Sequence, residues 1–252
     1  MSLRLLCVVP HPDDESIGFG GALLEAHRDG AETYLLCLTD GQAARNRGDA
    51  QDGADLGRMR RAELADAATV LGLTSYEVLD YPDGALLRED FYAFTGEIVA
   101  RIRSLRPHVV ITFGGDGGGN LHRDHTMTGL VTTAAFHWAG RAAYFPEQLE
   151  RGLKLYVSQK LYYLSSPFVR VGKEAGPADT PMIPYSLSLE LGELLEQKMI
   201  AFRKHSSQVA ILDHVEPALL ERLTSERYLL AAAPGLISVA QDKSLFDGVR
   251  PD

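Results

Sequence analysis

The sequence predicts an α/β fold, a Rossmann-like, doubly wound, mostly parallel sheet with helices on both faces. Three observations carry this expectation. Short apolar runs of strand length alternate with segments whose apolar residues recur at helical spacing, the pattern of parallel βαβ units. Stop signals such as Gly30, Gly72 and Pro107 close the helical segments. The loops after the strands are polar, and most are rich in Asp or His, as expected where an open α/β sheet meets its ligand.

The elements follow in order. Residues 3–9 form a β-rich run, and 17–28 carry Ile17, Phe19, Leu23, Leu24 and Ala26 at helical spacing. Residues 32–38 (ETYLLCL) read as the second strand, and 41–57, rich in Gly, Asp and Arg, as a mobile loop. Residues 56–71 are helical, with Met59, Leu64, Ala67, Ala68 and Leu71 facing inward. Residues 75–79 are the third strand, and Tyr81-Pro82-Asp83-Gly84 has turn chemistry. A helix over 90–105 stops before Pro107, and 108–113 (HVVITF) is the most hydrophobic strand. A glycine-rich loop spans 114–120, a helix 127–139 and a late strand 160–164. Residues 172–184 are rich in Pro and Gly; 188–205 read as a long helix and 216–223 as a short one. There is no internal repeat and no clear linker. A single domain over 1–252 is expected, with an α/β core at 1–140 carrying the site motifs and 141–252 packed on the sheet.

Composition narrows the function classes. The chain has 252 residues, 45% of them apolar, enough for a substantial core. Its formal net charge of −9 argues against a general binder of nucleic acid or anionic membrane. No apolar window nears the length of about 18 residues that membrane insertion needs. The N-terminus lacks the features of a signal peptide, and the two cysteines, Cys7 and Cys37, lie in apolar runs. Two buried thiols in a reducing cytoplasm are expected.

The chemistry lies in two loops. The first reads His11-Pro12-Asp13-Asp14-Glu15, three adjacent acids that repel one another unless something positive sits among them. The other carries His122, Asp124 and His125. His11 and Asp14 are three apart, as are His122 and His125, a spacing at which a turn brings two side chains together. Two histidines and a carboxylate with one open position are the usual ligand set of a catalytic zinc. Zn²⁺, or Fe²⁺ in the same geometry, is therefore the expected cofactor. A metal hydrolase also needs a general base and an oxyanion partner. Asp13 or Asp14 can be the base while the other is a ligand, and the spare histidine, His122 or His125, suits the oxyanion.

The competing reading is dinucleotide binding. Gly18-Phe19-Gly20-Gly21 follows the first strand and Asp40 ends the second. But the third glycine of that fingerprint falls on Leu23, and Asp13, Asp14 and Glu15 would face a pyrophosphate. A non-catalytic sugar- or metal-binding protein is a second alternative, and an intact base and oxyanion partner speak against it.

PHPDDES at 10–16 together with HRDH at 122–125 resembles the LmbE-like (PIG-L) family of zinc-dependent N-deacetylases. LTDG at 38–41, RRAEL at 60–64, LDYPDG at 79–84, RPHVVITF at 106–113 and FRKHSSQ at 202–208 support the likeness. The resemblance implies hydrolysis of the N-acetyl group of an N-acetylglucosamine conjugate, a small molecule. PHPDDES is nearest to the bacillithiol-pathway branch. By the same resemblance, His11, Asp14 and His125 match metal ligands, and Asp13 the base that later passes a proton to the leaving amine. His122 matches the group that polarises the carbonyl, with Asp124 supporting it. Glu15 would anchor the loop, and Arg60, Asp83 and Asn120 would contact the sugar conjugate. The family often places Tyr where this chain has Asn120, an acid where it has Gln42, and HPDH where it has HRDH. Members are often oligomeric, so a homo-oligomer such as a trimer or hexamer is within this expectation. Outside the motifs, His205 reads as a helix-end charge, with lining of the site as the alternative. Arg45 and Arg47 read as solvated loop residues.

Overall fold

The computed structural model describes residues 2–119, 122–164, 185–210, 221–233 and 242–252. Its seven strands are β1 (Arg4–Val9), β2 (Glu32–Thr39), β3 (Ser75–Tyr81), β4 (Val109–Phe113), β5 (Lys160–Leu164), β6 (Leu187–Glu190) and β7 (Ser225–Ala232). They form one sheet in the order β3-β2-β1-β4-β5-β7-β6. The first five are parallel, with Leu5 opposite Thr33 of β2 on one side and Val109 of β4 on the other. β7 pairs antiparallel with both β5 and β6, so β7 alone runs against the other six.

β1 is buried on both faces, which is why it reads as a continuous apolar run. Leu5, Cys7 and Val9 pack against α2 (Gly20–Arg28), α3 (Gly53–Leu71) and α7 (Leu194–Lys204). Leu6 and Val8 face α4 (Phe91–Leu105) and α5 (Arg123–Trp138). Helices thus cover both faces of the sheet. Cys7 and Cys37 are buried free thiols. Among the described residues, no helix is long and apolar enough to cross a membrane.

Several boundaries differ from the sequence reading. The segment 17–28 is two elements, a single turn α1 (Asp14–Ile17) and then α2. Phe19 cannot cap α2 with its side chain. The N–H groups of Gly21 and Ala22 instead donate to the Glu226 carboxylate on β7, at 2.7 and 2.9 Å. A Cβ on Gly21 would lie 2.9 Å from that carboxyl, so the close approach requires glycine. The helix α3 begins inside the stretch read as a loop, because Asp52 caps it by accepting from the Asp55 N–H at 2.8 Å. HRDH lies not in a loop but on the first turn of α5, capped by His122. The segment 188–205 is strand β6 followed by helix α7, with Gly192 at φ 50 between them. β7 was not expected. The Pro/Gly-rich segment 172–184 and residues 216–220 fall outside the described residues, and Glu221–Thr224 is a 3-10 turn.

After residue 140, β5, β7 and β6 extend the sheet, α6 (Pro146–Glu150) is a short surface turn, and α7 covers one face. Strand order reverses between β1 and β4, and the ligand crevice of such a sheet lies beyond the carboxyl ends there. His11–Glu15 leave β1 and the HRDH turn follows β4 at that point.

Candidate active site

Three loops converge where the strand order reverses. His11 is buried just past β1, and its backbone N–H donates to Asp14 Oδ2 at 3.1 Å. His11 Nδ1 is 3.2 Å from Asp14 Oδ2, and His125 Nε2 is 3.3 Å from Asp14 Oδ1. One carboxylate thus offers an oxygen to each of two imidazoles. Their tautomers follow from the far side of each ring. His11 Nε2 faces Asp83 Oδ1 at 3.0 Å and Asp124 Oδ2 at 3.4 Å, both acceptors, so it carries the proton. His125 Nδ1 faces the Gly117 carbonyl at 3.2 Å and is the proton-bearing nitrogen of that ring. As neutral rings, the form a metal ligand must take, His11 and His125 would each aim a lone pair at the Asp14 carboxylate; with no cation among them, the surrounding carboxylates instead favour protonated His11. Lone pairs against a carboxylate repel, and a cation held among the N, O and N donors removes the repulsion. The residues fit a metal.

Two overlapping groups can supply ligand atoms within 4.8 Å of one another, His11 with His122 and His125, and His11 with Asp83 and Asp124. The His122 ring is 4.9 Å from His11 and 5.2 Å from His125, centroid to centroid. As N-cap of α5 its Nδ1 accepts the Asp124 N–H at 3.2 Å, which leaves the proton on Nε2. That hydrogen makes His122 a donor rather than a ligand.

Asp13 adopts φ 130 and ψ −31, a backbone conformation that costs a non-glycine residue about 1–3 kcal/mol. Its Oδ2 is 3.0 Å from Arg60 Nη2. Arg60 is only 2% exposed, and its guanidinium also donates to the carbonyls of Pro12 and Gly41. Gly41, at φ 68, lies so close that a Cβ there would sit 1.9 Å from Arg60 Nη1. Glu15 is fully buried; its Oε2 accepts the Asp13 N–H at 2.9 Å and its Oε1 meets His205 Nε2 at 2.7 Å.

The charges follow from these neighbours. Burial raises the Asp13 pKa to about 7, with Asp14 adding to the rise and Arg60 opposing it. Burial also works against ionised Asp14, but His125 and His11 outweigh it and bring the pKa down to about 2. For His11, burial is outweighed by Asp124, Asp14 and Asp83, which raise its pKa well above the ordinary value. His125 is lowered, chiefly by burial.

The structure brings His11, Asp13, Asp14, Glu15, Arg60, Asp83, His122, Asp124 and His125 together; Asn120 lies outside the described residues. Three placements differ from what the resemblance implied. Arg60 faces Asp13 and two carbonyls from a buried position, not an open sugar site. Asp83 turns inward to His11, and its Oδ2 accepts the Ala43 N–H at 2.9 Å. Asp124 serves His122 through its backbone N–H, while its carboxylate lies on His11 and accepts from Gly84 at 2.6 Å and Leu86 at 3.2 Å. Sequence reasoning missed Glu63, which holds the turn after α7, and the buried Lys198–Glu226 pair at 2.6 Å. No local signal points to either, because their partners are 28 to 144 residues away.

Comparison with known proteins agrees with this geometry. The family profile described as GlcNAc-PI de-N-acetylase (PIG-L) matches residues 6–136. The chain is 30% identical to the 1D-myo-inositol 2-acetamido-2-deoxy-alpha-D-glucopyranoside deacetylase of Rhodococcus jostii, over 98% of both chains. The fold is similar to that of the N,N'-diacetylchitobiose deacetylase from Pyrococcus horikoshii, with a TM-score of 0.75 and 23% identity over 90% of this chain and 83% of the other. It is also similar to that of the 4-carboxy-2-hydroxymuconate hydratase from Pseudomonas putida, with a TM-score of 0.67 and 18% identity over 94% of this chain and 100% of the other. The fold alone therefore does not choose the reaction. The curated relative is named for an inositol conjugate, and the likeness to the bacillithiol branch rests on one heptapeptide. The family match over more than half the sequence, and the relative aligned along nearly all of it, establish that the chain belongs to the PIG-L family of metal-dependent de-N-acetylases.

Proposed function

We propose that this chain removes the N-acetyl group from an N-acetylglucosamine conjugate. The observation that carries the reading is Asp14, whose two oxygens each face an imidazole nitrogen, one of His11 and one of His125, beside an aspartate already paired with a buried arginine. His11, Asp14 and His125 would hold the metal, zinc in the first instance, with Fe²⁺ suited to the same donors. Bound there, the ion supplies Lewis acidity to water and to the amide carbonyl. Asp13 takes the proton of the attacking water and later delivers a proton to the leaving amine. His122, with its hydrogen on Nε2, donates to the developing oxyanion. Asp83 and Asp124 hold the His11 ring in one tautomer. Arg60 opposes the rise that burial imposes on the Asp13 carboxyl. The partner is a small sugar conjugate, and a cytoplasmic homo-oligomer completes this reading.

The test is acetate release by zinc-loaded protein from N-acetylglucosamine conjugates of inositol and malate and from diacetylchitobiose, with Asp13→Asn as the blank. Release from one conjugate well above the blank supports the reading and identifies the aglycone. Stoichiometric metal with no release from any of them refutes the sugar class.

A further inference from the structure

The turn that ends α7 touches three separate segments around the site. His205 Nε2 meets Glu15 Oε1 at 2.7 Å, and both side chains have no exposure at all. Ser206 and Ser207 hydroxyls and the Ser207 N–H all donate to the Glu63 carboxylate, each at 2.7 Å. Gln208 Nε2 donates to the Asn46 carbonyl at 3.0 Å. Glu63 lies one turn beyond Arg60 on α3, so a single helix face holds the turn through Glu63 and Asp13 through Arg60. The segment His205–Gln208 is thus pinned to α3 and to the loop after β2, and it presents one imidazole to Glu15.

Glu15 has two oxygens with two distinct uses. Oε1 takes His205, and also the Ser16 hydroxyl at 2.6 Å. Oε2 takes the backbone N–H of Asp13 at 2.9 Å. That N–H belongs to the residue at φ 130, a conformation the chain does not hold unaided. A carboxylate fixed at one oxygen is an acceptor of fixed position at the other.

We propose that His205 is a positioning residue: by clamping Glu15 it fixes the strained backbone of Asp13, and so the direction of the Asp13 carboxylate. The proposal rests on the reading of Asp13 as the base. His205 touches no reacting atom. It acts across 190 residues of sequence on one backbone hydrogen bond.

The experiment compares His205→Phe, which keeps a ring but no donor, with His205→Gln, which keeps a donor. The first readout needs no substrate: hydrogen exchange at the Asp13 amide of metal-loaded protein. We expect at least a tenfold rise in His205→Phe, near wild-type protection in His205→Gln, and unchanged protection in the core of β1. The second readout is turnover. His205→Phe should lower kcat about 10- to 100-fold with KM and bound zinc unchanged, and His205→Gln should recover most of the loss. In an Asp13→Asn background His205→Phe should cost nothing further. Unchanged exchange at Asp13, or a full additional loss in that background, overturns the proposal. If His205→Phe does not fold, Glu15→Gln/His205→Phe buries no unpaired charge and takes its place in both readouts. Protein with the expected exchange pattern but no acetate release refutes the deacetylase reading and leaves the clamp standing.

Discussion

Arg60→Met separates two roles that the same residue could play. A sugar contact would raise KM; a partner of Asp13 would instead alter how the rate depends on pH. At 3.0 Å and an effective dielectric of about 20, the Arg60–Asp13 pair amounts to roughly 5–6 kcal/mol, or about four powers of ten in proton affinity. The Asp13 side chain is 13% exposed, and water and neighbouring dipoles take up about half of that. Asp13 already sits high, at about 7, because burial and Asp14 raise it while Arg60 pulls it down. Loss of Arg60 moves it further up, so less of the base is ionised at neutral pH. The acidic limb of kcat/KM should therefore shift upward by about two pH units. In the zinc-loaded variant we expect roughly 100-fold lower kcat/KM on the acidic limb, narrowing to a few-fold above pH 9. Rates on the best conjugate from pH 5 to 10 provide the assay. A loss equal at every pH, carried by KM, would refute the reasoning and return Arg60 to the sugar.

Four further outcomes follow from the same geometry. Asp13→Asn should retain zinc at wild-type stoichiometry and lose about 10²–10⁴ in kcat, and turnover within tenfold of wild type would exclude Asp13 as the base. Lys198→Met leaves the Glu226 carboxylate buried without its cation, which costs about 3–5 kcal/mol in thermal or urea melts. The double variant Lys198→Met/Glu226→Gln should recover more than half of that, and equal losses would contradict the pairing. Dialysis against a strong chelator should abolish acetate release, and added Zn²⁺ should restore it and raise stability by about 2.7 kcal/mol at a hundred times Kd; activity surviving chelation would count against the metal. For the Glu15–His205 pair, burial opposes both charges but each partner outweighs it for the other, lowering Glu15 from 4.5 and raising His205 from 6.5. Glu15's share of stability is present above 4.5 and lost as pH falls through its lowered value. His205's share is present below 6.5 and lost as pH rises through its raised value. The stability gap between wild type and His205→Phe should therefore peak between pH 4.5 and 6.5, and a gap widening steadily from pH 5 to 9 would refute the pair.

What was legible in the sequence was whatever is written locally. The alternation from Arg4 to Trp138 is carried by residues that meet their partners through strand pairing and helical spacing, and it yielded the sheet's parallel half. The two motifs follow β1 and β4, so topology alone brought them together. The antiparallel end was hidden because LSLELGELLEQ is built from good helix formers, and Gly192, one of three residues between strand and helix, is its one helix breaker. Ser225–Ala232 has Glu, Leu and Ala in a strand that neighbouring strands impose. Arg60 was expected at the sugar conjugate by resemblance, and its buried pairing was not legible because its acceptors, the carbonyls of Gly41 and Pro12, are backbone groups that leave no mark in sequence. His205 looked like a helix-end charge because Glu15 is 190 residues away.

The frame around the base has a consequence for the chain as it is made. Every residue of the two motifs has been translated by His125, yet the turn that pins Glu15 and Glu63 arrives only with His205–Gln208, and the carboxylate that caps α2 only with Glu226. At about 5–20 residues per second, the ribosome takes roughly 4–16 s to cover the stretch from His125 to His205. During that interval the nascent polypeptide displays its histidines and aspartates without the scaffold that aims them. Competence is thus deferred until synthesis is nearly complete.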